Sequence, residues 1–146
     1  MAINIHPTAC VDKSAELGKD VVIGPYAIIG KDVVIGDRTE VYAHAVIGSG
    51  TILGTDNEIH YGAVIGDKPQ DISYKNEPTK VIIGNNNKIR EYVTIHKASG
   101  PGNSTVIGNN NFIMSFVHFA HNCKIGSNVV VVSMTQVAGH VVIEDN

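Results

Sequence analysis

Large apolar residues recur at every sixth position: Ile5, Val11, Leu17, Ile23, Ile29, Ile35, Val41, Ile47, Leu53, Ile59 and Ile65. The pattern returns in phase at Ile83, Ile89 and Ile95, and again from Ile107 through Ile113, Phe119, Ile125, Val131 and Val137 to Ile143. Of 24 such slots, 21 are large and apolar; the exceptions, Asp71, Glu77 and Pro101, lie in the polar stretches 67–80 and 97–104, which are predicted to be loops inserted between repeats. The slot after the aliphatic is often Gly, and the slot four after it is small or β-branched, as at Ala27, Thr39, Ala45 and Val93. A helix places apolar residues about every 3.6 positions and a one-faced strand about every 2, so neither alone gives a strict six. Short strands joined by bends do. If each hexad makes one flat side and one turn, three close a triangular coil of 18 residues with its aliphatics stacked on the axis, glycine easing the bends and coils pairing as parallel strands.

The expected fold is therefore all-β, a parallel β-helix of about seven triangular coils forming one domain over residues 1–146. The count closes if the loops add net insertions of 12 and 6 residues, and Asn57, Asn87 and Asn111, spaced by 30 and 24, then form one column. Asn suits such a ladder because it tolerates left-handed backbone and pairs amide to amide. Spacing leaves the handedness open; the general rule for parallel crossovers is right-handed.

The same register gathers Asp71, His96, His121 and His140 on one side of four successive coils, with His118 at the end of the hexad before Phe119. Titratable groups converging beside both loops mark a candidate site. His6, His44 and His60 have no loop beside them and are expected to be solvent or bend residues, and Cys123 falls in the small inward column.

A net charge of -3 disfavours nucleic-acid binding. No apolar run approaches the roughly 18 residues of a membrane span and the first residues lack a signal-peptide build, so a cytoplasmic protein without a membrane span is expected. Cys10 and Cys123 are too few for a disulfide framework and are not spaced as a metal site. Lys75, Lys80, Lys88, Arg90 and Lys97 against Glu77 and Glu91 make a local charge of +3, either a solvated face or an attractor for an anionic substrate.

The hexads resemble those of the bacterial hexapeptide-repeat acyltransferases. Ile65-Gly-Asp-Lys-Pro-Gln-Asp-Ile-Ser-Tyr, Ile89-Arg-Glu-Tyr-Val-Thr-Ile-His, Ala120-His-Asn-Cys and Ala138-Gly-His-Val are similar to segments of the UDP-N-acetylglucosamine 3-O-acyltransferase family. The resemblance implies a left-handed helix, a homotrimer with sites between subunits, and transfer of a 3-hydroxyacyl chain from the phosphopantetheine thioester of acyl carrier protein to UDP-N-acetylglucosamine, the first step of lipid A biosynthesis. It implies no metal, no other cofactor and no covalent intermediate. His121 matches the general base and Gly139 the backbone N–H that stabilises the oxyanion. Asp71, Ser73, His96, His118, Asn122 and His140 match substrate-binding positions. Two of them depart from the family pattern: Asn122 stands where Asp is common, and Ser73 where Lys is common. Family members also extend past this length with further coils and a C-terminal helical domain, so the chain is expected to be truncated relative to them. Three other readings stay open: an acyltransferase for an amino sugar or a coenzyme A thioester, a zinc enzyme of the γ-carbonic anhydrase type using His96, His118 and His121, and a non-catalytic module.

Overall fold

The computed structural model describes residues 4–146, and every regular element in that span is a strand. Twenty-one strands, most of two residues, form three parallel seven-stranded sheets among the described residues. Successive strands go to successive walls: Val22–Ile23 lies on the first, Ile28–Ile29 on the second and Val34–Ile35 on the third. Glu40–Val41 then returns to the first wall, with Val41 opposite Ile23. The second residue of each pair points to the axis. From Ile23 to Phe119 the hexad aliphatics are at most 1% exposed, each such burial contributing roughly 1.5–3 kcal/mol. Ala27, Ala45, Ala63, Val93, Val117 and Cys123 fill the gaps between them, so Cys123 is a core residue.

Apart from Gly66, with φ of 84°, the glycines after the aliphatics do not take the left-handed backbone of the bends. Left-handed backbone falls two positions later, mostly on larger residues: Asp20, Tyr26, Asp32, Arg38, His44, Tyr92, Phe116, Asn122 and His140 all have φ between 55° and 64°. What those glycines provide is close approach between coils. A Cβ on Gly36 would lie 2.6 Å from the Gly54 carbonyl carbon, and one on Gly84 would lie 2.7 Å from the Gly108 oxygen.

The buried asparagine column forms as its spacing demands. Asn87 donates its backbone and side-chain N–H groups to Asn57 Oδ1 (2.9 and 3.1 Å), Asn111 N–H donates to Asn87 Oδ1 (3.0 Å), and Val129 N–H donates to Asn111 Oδ1 (2.8 Å). Both loops leave the wall without disturbing the pitch: Ile65 stays opposite Ile47 and Ile95, and Ile83 opposite Leu53 and Ile107. The first excursion follows Val64–Asp67 and the second follows Thr94–His96, so each leaves the second wall and rejoins the third. They swing out from one corner and are sewn together by bonds from Lys97 N–H to Asp67 O (2.9 Å), Gly100 N–H to Glu77 Oε1 (2.8 Å) and Gly102 N–H to Pro78 O (3.1 Å).

Candidate active site

The corner between the second and third walls collects the histidines. His96 ends the strand Thr94–His96, and His118 lies on the strand above it, opposite Thr94. Their rings meet edge to face at 4.8 Å between centroids. His121 and His140 occupy successive turns of the same corner, held in step by the bond from His140 N–H to His121 O (3.0 Å), with ring centroids 5.2 Å apart. Asp71 reaches this corner from the first loop. The aligned spacing therefore brings Asp71, His96, His118, His121 and His140 together.

His96 is buried, its Nδ1 has no partner, and burial with the neighbouring His118 pushes its pKa down. Burial lowers His118 as well, and its Nδ1 lies 2.7 Å from Thr94 Oγ1. Both imidazoles are thus neutral near pH 7.

His121 sits in a denser network. Its Nδ1 is 2.9 Å from Asn122 Oδ1 and 3.2 Å from Ser99 Oγ. Asn122 is itself clamped to the second loop, its Oδ1 accepting from Ser99 N–H (2.9 Å) and its Nδ2 donating to Ser99 O (3.0 Å). A backbone N–H only donates and a carbonyl only accepts, so the Asn122 amide has one possible orientation. Its Oδ1 can then only accept from His121. The proton of neutral His121 accordingly sits on Nδ1, and the Nε2 lone pair is free. Gly139 flanks that nitrogen: a Cβ there would lie 2.7 Å from both Cε1 and Nε2, so the absence of a side chain keeps the ring in place.

Asp71 receives Ser99 Oγ–H on Oδ2, and Ser73 donates its backbone N–H (2.9 Å) and hydroxyl (2.8 Å) to Oδ1. These bonds, that from Ser99 first, hold its carboxyl down at about 2, with the facing His121 adding to the effect. The carboxylate is charged at any physiological pH.

Ser99 and Thr94 were not singled out by sequence reasoning. Ser99 carries no signal of its own in a loop of small residues; only the three-dimensional return of that loop onto His121 reveals it. Two members of the basic run are engaged elsewhere: Lys88 pairs with Glu58 (3.0 Å) and Arg90 with Glu91 (2.9 Å), both away from the histidine corner. His60 is not a plain solvent residue either. It is half-buried, 3.4 Å from Glu58 and 3.5 Å from Glu91, and stacks on Tyr42 at 4.7 Å. Among the described residues no three His, Cys, Asp or Glu side chains are grouped as one metal ion would need.

The family described as bacterial transferase hexapeptide (six repeats) matches residues 14–49 and 104–139. The acyl-(acyl-carrier-protein)–UDP-N-acetylglucosamine O-acyltransferase of Thermodesulfovibrio yellowstonii is 54% identical over 142 residues, covering 97% of this chain and 55% of the relative. The chain belongs to the bacterial hexapeptide-repeat transferases. It spans about half the length of the curated relatives it matches. Among solved hexapeptide structures, the UDP-N-acetylglucosamine acyltransferase of Francisella novicida superimposes with a TM-score of 0.94 at 46% identity, covering 97% of this chain and 52% of that one. That of Bacteroides fragilis gives 0.94 at 42% identity, covering 97% and 55%. The fold is the left-handed parallel β-helix of these relatives. The right-handed preference of parallel crossovers arises from strand twist, and strands of two residues have almost none to impose.

Proposed function

We propose that this hexapeptide chain carries the catalytic corner of an acyltransferase that moves a 3-hydroxyacyl group from acyl carrier protein to the 3-hydroxyl of UDP-N-acetylglucosamine. The observation that carries the reading is the free Nε2 of His121, fixed as the basic nitrogen by Asn122 and faced by Gly139. Nε2 takes the proton of the sugar hydroxyl as its oxygen attacks the thioester carbonyl. The tetrahedral oxyanion is met by the backbone N–H of Gly139. Collapse breaks the carbon–sulfur bond, and the proton on Nε2 passes to the leaving thiolate. Every proton is returned, so no covalent intermediate, metal or further cofactor is needed. His96, His118 and His140 with Asp71 and Ser73 line the path of the nucleotide sugar.

The two relatives named above whose structures are solved bear the name UDP-N-acetylglucosamine acyltransferase, and their likeness supports the same substrate here. The corner is open to solvent on a single chain, with His121 and Asn122 half-buried and His140 exposed. A second copy covering that corner, as in a homotrimer with sites between subunits, would exclude water from the reaction. A cytoplasmic location fits substrates of this kind, and no helix among the described residues is long and apolar enough to cross a membrane.

The test is acyl transfer by the full-length protein, comparing UDP-N-acetylglucosamine with its 3-amino analogue and carrier-protein with coenzyme A thioester. Transfer to the hydroxyl from the carrier is expected, with kcat lower by orders of magnitude in His121→Ala while the assembly stays intact. Wild-type turnover in that variant would remove His121 as the base, and a preference for the amine or for coenzyme A would reassign the substrate.

A further inference from the structure

We infer that Ser99 is a positioning residue through which Asp71 lends its negative charge to the base, replacing the carboxylate that Asn122 does not have. This rests on the general-base reading of His121. The argument is one of proton direction. Asp71 is ionised and can only accept, so the Ser99 hydroxyl proton points to Oδ2. The Ser99 oxygen, 3.2 Å from His121 Nδ1, is then left to accept from the imidazole, whose proton Asn122 already fixes on that nitrogen. The line from Asp71 through Ser99 to His121 therefore runs in one sense only. When Nε2 takes a proton and the ring becomes cationic, the shared Nδ1 proton strengthens its bonds to Ser99 and Asn122, and the Asp71 charge stabilises the cation.

The two departures from the family pattern belong to this one device. Ser73 stands where the resembled family commonly has a lysine. Its hydroxyl and N–H hold Oδ1, which leaves Oδ2 aimed at Ser99. Asn122 replaces an acid, but its amide secures both backbone groups of Ser99 and so brings the hydroxyl to the ring. A carboxylate at 122 would accept from Ser99 N–H and would oppose Ser99 O.

Asp71 from the first loop, His140 from the turn above and His96 from the strand below bear on the charge of His121, and Glu77 on the first loop bears on Asp71. Only Asp71 is joined to the ring by the Ser99 hydroxyl.

The experiment measures kcat, KM and the pH profile of full-length Ser99→Ala, Ser99→Thr and Asp71→Asn, together with imidazole 15N shifts of His121. A hydrogen bond to a charged group is strong enough that Ser99→Ala should lower kcat about tenfold or more with the KM for the sugar little changed. Loss of the anionic link makes the imidazolium less stable, so the acid limb of the kcat/KM profile moves to lower pH in Ser99→Ala and Asp71→Asn. Ser99→Thr keeps the hydroxyl and should restore both. Wild-type kcat and an unmoved acid limb in Ser99→Ala, with His121→Ala inactive, would overturn the link while leaving the base in place. Activity in His121→Ala would instead overturn the general-base reading.

Discussion

Gly139→Ala separates the packing of the base from the oxyanion role of the same residue. The backbone N–H survives the substitution, and Gly139 has no left-handed φ that a side chain would strain. The new methyl carbon would lie 2.7 Å from Cε1 and Nε2 of His121, whereas ordinary contact begins at 3.4 Å, so the ring must retreat by about 0.7 Å. It cannot do so freely, because its Nδ1 is tied to Asn122 (2.9 Å) and the His140 ring stands at 5.2 Å. A displacement approaching 1 Å at the reacting atom costs up to about 100-fold in rate, or ~2.7 kcal/mol of transition-state stabilisation. We therefore expect a kcat 10- to 100-fold below wild type, unchanged thermal stability, and an altered His121 environment in imidazole 1H–15N correlation spectra. Turnover within about twofold of wild type with an unmoved ring would refute the claim that Gly139 seats the base.

The asparagine ladder predicts a stability effect. Asn87→Ala removes the acceptor of Asn111 N–H and the donor to Gly108 O (2.9 Å), and orphaned buried groups cost about 1–3 kcal/mol each, so unfolding in urea should show a loss of roughly 2–6 kcal/mol. A loss below about 1 kcal/mol would mean that water or backbone relaxation satisfies the column. Buried His96 has its pKa lowered, so its neutral form stabilises the fold; that contribution is complete above the unfolded pKa of about 6.5 and is lost as pH falls through it towards the depressed folded value. Thermal melts should therefore drop more steeply between pH 7 and 5 in wild type than in His96→Gln, and equal slopes would contradict the assignment.

The architecture was legible because one physical requirement repeats. An axis filled by one large residue per side forces the six-residue spacing, and a slot occupied by Asp71, Glu77 or Pro101 cannot face that axis, so the loops announce themselves. The Asn57, Asn87 and Asn111 column checked the insertion lengths that the hexad count required. The bend chemistry was misread because glycine serves two purposes. At Gly36 and Gly84 it allows coils to touch, while the left-handed corner falls on residues such as Tyr92 and Phe116 that carry no such signature. The site was legible as a column of histidines, which register alone aligns. Its proton wiring was not, because Ser99 reaches His121 through a loop whose path no periodicity describes.

That wiring follows from the corner itself. The turn after Phe119 needs a left-handed residue at 122, where φ is 62°, and Asn and Asp are the polar side chains that accept it most readily. Choosing between them is a question of what the second loop presents. Ser99 offers one donor and one acceptor side by side, and an amide answers both, whereas a carboxylate answers one. An amide at the corner thus anchors the loop and orients the base but leaves the cationic imidazole without a counter-charge. The anion joined to Ser99 is Asp71, its other oxygen held by Ser73. A serine hydroxyl between them is the shortest group that can accept from the ring and donate to the acid at once. Asn122, Ser73 and Ser99 are therefore one solution to a single geometric problem, and loss of the hydroxyl at 99 alone breaks the link that the other two position.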